Sequence, residues 1–422
     1  MLPKGFKDFE PRIQIIRNKV IEKIKNVFEK FGFEPLETPI VEYWETLKGK
    51  YGEEAEKKLI WRFKLPYSET EYALRYDLTV PLARFVAEKK PKLPFKRYQI
   101  GPVFRYEEPQ RGRYRQFYQA DYDIVGSKYP EADAEILNIT NEIFSSFNLD
   151  FEIKINHRKI VEGIVEYFGL KEKFLEVCRA IDKLDKIGIE GVKKELKKLN
   201  IEDEKIEKII EIISANNLEI KNEKVEEGLK NLNEILEFTD SKNIKIDFSL
   251  VRGLDYYTGM VYEVVLKNLK IGSVGGGGRY DNLIELFSKQ KIYAVGGSVG
   301  LDRLIDALIS LKVLEEKESI IEIAVIYADF EVFKEAWKTA NSLRKICNVY
   351  IDISRKSFRE QIDWIVKKNI RYLIIVGKED LKNNEVTFQD REKREIRKIK
   401  LSELEKFINE LKNRGIWSRN KK

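Results

Sequence analysis

The stretch VRGLDYYTGM, residues 251–260, brings an arginine, an aspartate and two adjacent tyrosines together at the entrance of a strand. The residues that follow, VYEVVL, alternate as a strand does. The guanidinium group of Arg252 and the phenols of Tyr256 and Tyr257 are hydrogen-bonding groups that recognise polar or charged ligands. Which ligand they would bind depends on what the rest of the chain supplies.

The densest concentration of such groups is FRYEEPQRGRYRQFYQADYDIVG, residues 104–126, where four arginines surround a turn. The pattern predicts that Arg105 and Gln119 lie on adjacent antiparallel strands. A guanidinium group fixed on a strand can hold a phosphate or a carboxylate through two hydrogen bonds, and arginines in a loop suit a polyphosphate or a nucleic-acid backbone. We therefore expect an anion site; the alternative is a hairpin held by ion pairs, because Glu107, Glu108 and Asp121 lie near the arginines.

The stretch LRYDLTVPLARF, residues 74–85, places Asp77 and Thr79 two residues apart, on one face of the chain if it is extended. A carboxylate beside a hydroxyl suits an ammonium group. The alternative is a structural role, because Thr79 before Pro81 could start a helix.

Two glycine-rich stretches follow later in the chain. GSVGGGGRYDN, residues 272–282, permits close approach of a ligand to the backbone, or else a plain bulge or turn, but no Gly-Lys-Ser/Thr follows to make a P-loop. GGSVGLDRL, residues 296–304, leads into a helix that carries Arg303. A positive side chain at a helix start favours an anion such as a triphosphate; pairing of Arg303 with Asp302 or Asp306 is the alternative.

Composition narrows the classes of function. The 422 residues suffice for two or three domains, and no apolar stretch is long enough for a transmembrane helix. The first residues lack the apolar run of a signal peptide, and Cys178 and Cys347 lie near no other ligand-like cluster, so we expect a cytoplasmic protein without a disulfide framework or a zinc site. His157 is the only histidine, which argues against mechanisms that need several imidazoles, and we expect it to be structural.

The formal net charge is +7, and the positive excess concentrates near the C-terminus. Residues 381–422 contain 13 Lys and Arg against 7 Asp and Glu. The excess suggests a polyanionic partner such as a nucleic acid. A solvated basic tail is equally compatible with the charge alone.

Hydrophobic periodicity divides the chain into modules. Apolar steps of three and four residues predict a helix over residues 12–31, and successive strands with few helices between them predict an antiparallel sheet in residues 1–167 and 241–314. Residues 168–240, rich in Lys and Glu with helical periodicity, predict a helical insertion. After a short charged linker, strands and helices alternate over residues 320–422, as in a small, largely parallel α/β domain. The predicted fold class is therefore α+β with a C-terminal α/β module.

Together these stretches resemble the class II aminoacyl-tRNA synthetases, and most closely the histidyl-tRNA synthetase family, over nearly the whole chain. The first helix and the FEPLETPIVEY that follows it are similar to motif 1, residues 104–126 to motif 2, and AVGGSVGLDRL to motif 3. LVRGLDYYTG and GGGGRYD resemble the two histidine-specific signatures of the family. LRYDLTVPLARF resembles its archaeal and eukaryotic branch.

The resemblance implies a site for histidine. Arg252 and Arg105 would be the catalytic residues, because they stabilise the charge that develops as the adenylate forms. Asp123 and Tyr257 would bind the two ends of the imidazole ring. The residues implied to bind histidine are Asp77, Leu78, Thr79, Arg105, Gln119, Asp123, Arg252, Tyr256, Tyr257 and Tyr280.

The resemblance also implies a site for ATP beside the histidine site. Arg105 and Arg303 would clamp the α- and γ-phosphates, and Phe117 would stack on the adenine. Mg²⁺ would come with the nucleotide rather than occupy a metal site of the protein. The residues implied to bind ATP are Arg105, Glu107, Arg113, Phe117 and Arg303.

The activity implied is ligation of histidine to its tRNA through histidyl-adenylate. The C-terminal module resembles the anticodon-binding domain of the family, the insertion would lie over the acceptor arm of the tRNA, and the loop near Arg111 would reach its 5′ end. Motif 1 implies a homodimer, with Pro39 as the motif's proline, and no membrane association is expected.

Two other functions are compatible with parts of this pattern. A synthetase-like regulatory subunit of ATP phosphoribosyltransferase would share the fold, but such relatives usually lack the C-terminal domain and degrade the catalytic signature. A module that senses uncharged tRNA without chemistry would not need Arg105, Arg252 and Arg303, all of which are present.

Overall fold

The computed structural model describes residues 1–109, 112–215, 218–251, 256–314 and 319–413. The chain divides into two compact units, the first formed by Met1–Lys7 and Val20–Val313 and the second by Asp8–Lys19 and Leu314–Lys422. In these described ranges we find no helix whose length and apolar character would let it cross a bilayer.

An eight-stranded sheet forms the centre of the first unit, with strands in the order β1-β5-β6-β11-β10-β9-β7-β8, and β2-β4-β3 form a small second sheet. Neighbours in the large sheet are antiparallel, except for the parallel pairs β1/β5 and β7/β8. The predicted antiparallel sheet is therefore confirmed. The strands are β1 (Glu34–Pro35), β2 (Val41–Tyr43), β3 (Arg62–Lys64), β4 (Glu71–Leu74), β5 (Phe95–Phe104), β6 (Gln116–Val125), β7 (Phe151–His157), β8 (Ile244–Ile246), β9 (Met260–Leu266), β10 (Gly275–Arg279) and β11 (Ala294–Gly300).

Helices accompany this sheet, among them the one that apolar periodicity predicts over residues 12–31. The first of them ends at Lys30, before Gly32 with its positive φ of 74°, a backbone conformation that glycine adopts at little cost. The helices are α1 (Pro11–Lys30), α2 (Trp44–Leu47), α3 (Glu53–Lys58), α4 (Thr79–Lys89), α5 (Pro130–Ser146), α6 (Arg158–Tyr167), α7 (Phe174–Ile181), α8 (Leu184–Lys198), α9 (Asp203–Ala215), α10 (Glu223–Glu237) and α11 (Leu301–Ser310).

Strand β6 shows how the sheet separates a core from a site. Successive side chains of a strand point to opposite faces, and on one face the hydroxyl of Tyr122 bonds to Thr140 of α5 at 2.5 Å and to Tyr262 of β9 at 2.9 Å. The ring of Phe28 packs on the same tyrosine, with centroids 5.1 Å apart. The opposite face of β6 therefore stays available to line a cleft.

The predicted helical insertion is present as helices α7 to α10. Ion pairs link its exposed faces, such as Lys183–Glu195 at 2.6 Å and Lys193–Glu207 at 2.8 Å. Exposed pairs of this kind contribute little stability individually, so these charges mainly keep the faces solvated.

The second unit contains a five-stranded sheet in the order β13-β12-β14-β15-β16. β12 pairs in parallel with β13 and β14, while β15 and β16 extend the sheet as an antiparallel hairpin. The strands are β12 (Ile323–Tyr327), β13 (Val349–Ile351), β14 (Tyr372–Val376), β15 (Glu385–Asp390) and β16 (Glu395–Lys400), and the helices are α12 (Phe333–Leu343), α13 (Phe358–Lys367), α14 (Lys378–Lys382) and α15 (Leu404–Asn413).

Strand β16 was not among the predicted elements. Its sequence, EIRKIK, exposes three consecutive residues at the edge of the sheet. Charged side chains protect an edge strand from unwanted pairing but weaken its hydrophobic pattern. Hydrophobic periodicity therefore did not predict β16. The predicted linker at 315–319 lies almost entirely outside the described residues.

Candidate active site

A cavity of about 450 Å³ opens over the middle of the large sheet. Its lining includes Arg105, Arg113 and Arg303, which come from distant parts of the sequence. Glu107 and Phe117 line the same cavity. All five residues implied to bind ATP therefore meet in one place.

Arg105 follows the last residue of β5 and is held by the elements around it. Its Nε donates to the carbonyl of Tyr76 at 3.2 Å. Its guanidinium lies 4.3 Å from the centroid of the Tyr76 ring and 5.1 Å from that of Phe117. Stacking fixes the plane of the guanidinium. β5 and β6 are antiparallel neighbours as the sequence predicts, with Gln119 of β6 opposite Gly101 and Arg105 just beyond the end of β5.

Arg303 lies in the first turn of α11, where the helix amides also favour an anion. Its guanidinium donates to the carbonyl of Ser273 and, at 3.3 Å, to that of Gly112. The carboxylate of Asp302 accepts from the amide of Tyr118 at 2.7 Å. This bond fixes the start of α11 against β6, and with it the position of Arg303.

A narrow slot next to this cavity is lined by Asp123, Tyr257 and Tyr280. The hydroxyl of Tyr280 donates to Asp123 at 2.5 Å. The ring of Tyr256 packs against Tyr257 edge-on at 5.2 Å and against Tyr280 at 5.6 Å. Aromatic rings and the buried carboxyl groups of Asp123 and Asp121 therefore form the walls, a combination suited to a flat ring that carries an N–H group.

Glycines make room for the slot. Gly296 pairs directly with Asp123 across the sheet, and a Cβ atom at this glycine would lie 2.0 Å from the carboxylate. At Gly277 a Cβ would lie 2.1 Å from the carbonyl oxygen of Gly296. The glycines of β10 and β11 therefore let neighbouring strands and the side chain of Asp123 pack closely together. They lie in strands and do not form a phosphate-binding loop.

Asp77 and Thr79 line a wider cavity that leads to the slot and that also includes Arg105 and Gln119. The carboxylate of Asp77 accepts from Tyr51 Oη and from the amide of Val80, both at 3.0 Å. Helix α4 begins at Thr79, so the structural role considered for this segment is present alongside an opening to the site.

Leu78 is placed differently from its neighbours. Its side chain is fully buried in the protein. Its carbonyl accepts from Arg97 at 3.1 Å. The structure therefore gives Leu78 a packing role and assigns its backbone to the support of Arg97.

Burial shifts the pKa values of the carboxyl groups in the site. It raises the pKa of Asp77 and that of Asp123, although Arg105 and Arg97 respectively oppose the increase. Burial also raises the pKa of Asp121 to about 7. Raised carboxyl pKa values close together in a cleft are typical of a functional site.

Several residues of the site were missed from the sequence. Arg97 is fully buried on β5 and pairs with Asp123 at 2.7 Å, and Tyr51 holds Asp77. The signal for Arg97 was its place in FKRYQIG, where a charged residue interrupts an apolar strand opposite Asp123. Tyr51 offered no signal, because its contact with Asp77 depends on tertiary packing.

Two predicted residues fall outside the described part of the chain, namely Arg252 and Arg111. Leu250 and Tyr257, which lie on either side of Arg252 in the sequence, line the cavity that Arg105 and Arg303 also line. His157 lies away from this chemistry: its Nδ1 accepts from the amide of Lys159 and caps α6. Burial lowers its pKa to about 4, which agrees with a neutral, structural imidazole.

This architecture is that of a class II aminoacyl-tRNA synthetase. It combines a mainly antiparallel sheet that carries the cavities with a helical segment and a separate α/β module. A family model described as Histidyl-tRNA synthetase matches residues 5–304, and one described as Anticodon binding domain matches residues 322–411. The chain belongs to the histidyl-tRNA synthetase family.

Individual relatives match over nearly their whole length. The histidine–tRNA ligase of Nanoarchaeum equitans is 53% identical over 408 residues, which are 96% of this chain and 98% of that protein. The histidine–tRNA ligase of Aeropyrum pernix is 46% identical over 424 residues, 97% of this chain and 98% of that protein. Among solved structures, the histidyl-tRNA synthetase from a Nostoc species superposes with a TM-score of 0.82 at 30% identity and covers 97% of this chain and 99% of its own.

Proposed function

We propose that this protein is a histidine–tRNA ligase that uses the two neighbouring cavities of its large sheet for ATP and histidine. The prediction of this enzyme class is confirmed by the family match and by the full-length relatives. The observation that carries the assignment to this site is the convergence of Arg105, Arg113 and Arg303 on one cavity that adjoins the slot around Asp123.

The reaction has two steps. The carboxylate of histidine attacks the α-phosphorus of ATP, which forms histidyl-adenylate and releases pyrophosphate. The 3′-hydroxyl of the terminal adenosine of the tRNA then attacks the activated carbonyl, which forms histidyl-tRNA and releases AMP.

The slot supplies one acceptor and one donor for a neutral imidazole. Asp123 accepts from the ring N–H, and the phenol of Tyr257 donates to the other ring nitrogen. A ligand without these groups would leave buried polar atoms unpaired, which costs binding energy. Thr79, Asp77 and Gln119 lie on the side where the α-ammonium group would enter.

In the 450 Å³ cavity the arginines hold the triphosphate. Positive charge placed before the reaction stabilises the transition state because it needs no reorganisation. Phe117 stacks on the adenine, and Glu107 with Arg113 borders the nucleotide; these two side chains lie 3.9 Å apart. Mg²⁺ would be carried by the phosphates of ATP and would offset part of their charge.

Histidine-dependent exchange of pyrophosphate into ATP tests the assignment. We expect exchange with histidine and none above background with other amino acids. No exchange with histidine in folded protein would refute the proposed function, and exchange with another amino acid would refute its specificity.

Arg252 remains the second catalytic candidate, although it lies outside the described residues. If it stabilises transition-state charge, Arg252→Ala slows adenylate formation by about 10²-fold or more. Single-turnover measurement of adenylate formation checks this, and a near-normal rate would remove Arg252 from the mechanism.

We assign the recognition of tRNA to the remaining modules, with the domain boundaries predicted from the sequence. Residues 1–167 and 241–314 form the catalytic domain, 168–240 the insertion that faces the acceptor arm, and 320–422 the anticodon-binding domain. The match of an anticodon-binding family model to residues 322–411 supports the last of these.

A cytoplasmic location is part of the proposal, as is a homodimer through motif 1. The homodimer is supported by the small sheet β2-β4-β3, where Val41, Tyr43 and Phe63 expose between 36% and 60% of their surface. Exposed apolar side chains grouped in this way mark an interaction surface. Sedimentation equilibrium checks the oligomer: a mass twice that of the 49.7 kDa chain is expected, and Tyr43→Lys should lower it.

A further inference from the structure

Asp121 is a buried carboxylate to which the proposed mechanism gives no role. Its exposed fraction is 2%, and it lines both the slot around Asp123 and the wider cavity around Asp77. Its Oδ1 atom has no hydrogen-bond partner. Because an unpaired buried carboxylate oxygen is costly, a donor on a bound ligand is the natural partner.

The register of the sheet connects Asp121 to Gln119. Ser298 of β11 pairs directly with Asp121 of β6, so their Cβ atoms lie about 4.5–5.5 Å apart on one face. The Ser298 hydroxyl faces the Asp121 carboxylate and favours its ionised form, as a hydroxyl that turns its hydrogen toward a carboxylate does. The same hydroxyl accepts from Nε2 of Gln119 at 2.7 Å.

This chain of bonds fixes the orientation of the Gln119 amide. A hydroxyl that donates its one hydrogen to a carboxylate can only accept from its other neighbour. Gln119 must therefore present its NH₂ group to Ser298 and its oxygen elsewhere. Its Oε1 atom is indeed buried and without a hydrogen-bond partner.

Carboxyl and guanidinium groups meet around the slot. Among the described residues there, the carboxyl groups of Asp77, Asp121 and Asp123 lie near the guanidinium groups of Arg75, Arg97 and Arg105. Arg97 is engaged with Asp123 and with a backbone carbonyl. Burial, the largest cause, raises the pKa of Asp121 to about 7, so a cation beside it would favour its ionised form.

We propose that Asp121 is a further residue that positions the α-ammonium group of the amino-acid substrate, beside Asp77 and Gln119. It holds Ser298, which turns the oxygen of Gln119 toward the ammonium group, and its own free oxygen adds negative charge on the same side. The imidazole is left to Asp123 and Tyr257, because a neutral ring needs one acceptor and one donor. The inference rests on the proposed function, since it takes the occupant of the slot to be an amino acid.

Two inhibitors of pyrophosphate exchange distinguish binding of the ammonium group from binding of the imidazole ring. Histidinol keeps both, whereas imidazolepropionate keeps the ring and lacks the ammonium group. For Asp121→Asn in the full-length protein we expect a KM for histidine and a Ki for histidinol about 10-fold or more above the wild type, as for loss of a charge-assisted hydrogen bond. The Ki for imidazolepropionate and the KM for ATP should stay within about twofold. Asp240→Asn, an identical change at an exposed position of the insertion, is the control and should change neither Ki.

The role of Ser298 is tested by a double-mutant cycle. Because Asp121 acts on Gln119 through this hydroxyl, Asp121→Asn should raise the KM for histidine less in a Ser298→Ala background than in the wild type. Strictly additive effects would overturn the relay.

Each result leads to a different conclusion. Equal weakening of histidinol and imidazolepropionate would overturn the inference, because Asp121 would then act on the ring or on the fold. Unchanged inhibition by both would overturn it as well. Wild-type protein without histidine-dependent exchange would overturn the proposed function and the inference together, whereas normal wild-type exchange with either of the first two results refutes the inference alone.

Discussion

At the scale of single residues, the candidate site is a small volume in which carboxylates and arginines compensate one another. Asp123 illustrates this, because the guanidinium of Arg97 at 2.7 Å and the phenol of Tyr280 at 2.5 Å both stabilise its ionised form while burial opposes it. Removing one member of such a pair is expected to cost more than the pair contributes, since it leaves a buried charge alone.

Arg97→Met should therefore affect both folding and binding. We expect a loss of about 3–5 kcal/mol in the free energy of unfolding and a higher KM for histidine, measured by chemical denaturation and by pyrophosphate exchange. Arg371→Met is the matched control: Arg371 makes two bonds to the buried Asp390, at 2.9 and 2.7 Å, in the second unit. It should lower stability without changing the KM for histidine; a change in that KM would contradict a specific role for Arg97.

Asp121 gives a prediction on the pH dependence of stability. Burial raises its folded pKa to about 7 from an ordinary 3.8, while Asp77 and Asp123 also oppose its ionisation and Arg97 and Ser298 favour it. The folded protein then binds this proton more tightly than the unfolded chain, so the carboxyl group lowers stability progressively as the pH rises from about 4 to 7.

Asparagine cannot ionise, so Asp121→Asn should remove this loss. Relative to the wild type, we expect the variant to be more stable at pH 8 than at pH 5 by roughly 2–4 kcal/mol. Thermal unfolding of both proteins at the two pH values measures the difference. A gap that does not widen toward pH 8 would mean that the carboxyl group of Asp121 is ionised with an ordinary pKa.

At the scale of elements, the antiparallel register of β5, β6, β11 and β10 assembles the site. Because paired residues share a face, the register brings Arg97 and Gly296 to Asp123 from its two neighbouring strands and Ser298 to Asp121. The glycines of β10 and β11 keep the same region free of side chains that would collide with it.

Gly277→Ala tests this close packing. A Cβ atom there would lie 2.1 Å from the backbone carbonyl oxygen of Gly296, and a backbone atom cannot move aside without breaking the sheet. We expect a loss of about 1–3 kcal/mol or more in the free energy of unfolding. Gly300→Ala is the control, since the nearest atom to its Cβ would lie 3.6 Å away; equal losses in the two variants would contradict the packing argument.

At the scale of the whole molecule, the proposal assigns adenylate formation to the first compact unit and binding of the tRNA anticodon to the second. The sheet of the first unit carries the residues to which we assign adenylate formation. The second unit ends in a basic stretch that suits a polyanion, and the net charge of +7 acts in the same direction. Binding of tRNA should therefore depend on salt much more than binding of the small substrates does.

Salt dependence distinguishes these two kinds of binding. Between 50 and 200 mM KCl we expect the KM for tRNA to rise by about 10-fold or more, because phosphate contacts release counterions. The KM for histidine in pyrophosphate exchange should change by less than about threefold, since histidine makes no series of phosphate contacts and Asp123 and Tyr280 of its proposed site are buried. Steady-state aminoacylation and exchange over a salt series measure both, and parallel changes would contradict the division of work.

The sequence by itself determined the family, the order of the modules and most of the residues that face the cavities, because strand alternation and motif spacing are local properties of the chain. Arg105, Gln119, Asp123 and Arg303 were all predicted in this way. Only the tertiary structure decided which side chains support them: Arg97 beneath Asp123, Tyr51 beside Asp77, and Ser298 between Asp121 and Gln119. These contacts join strands and loops far apart in sequence, and their energies depend on register and burial, which exist only once the sheet has formed.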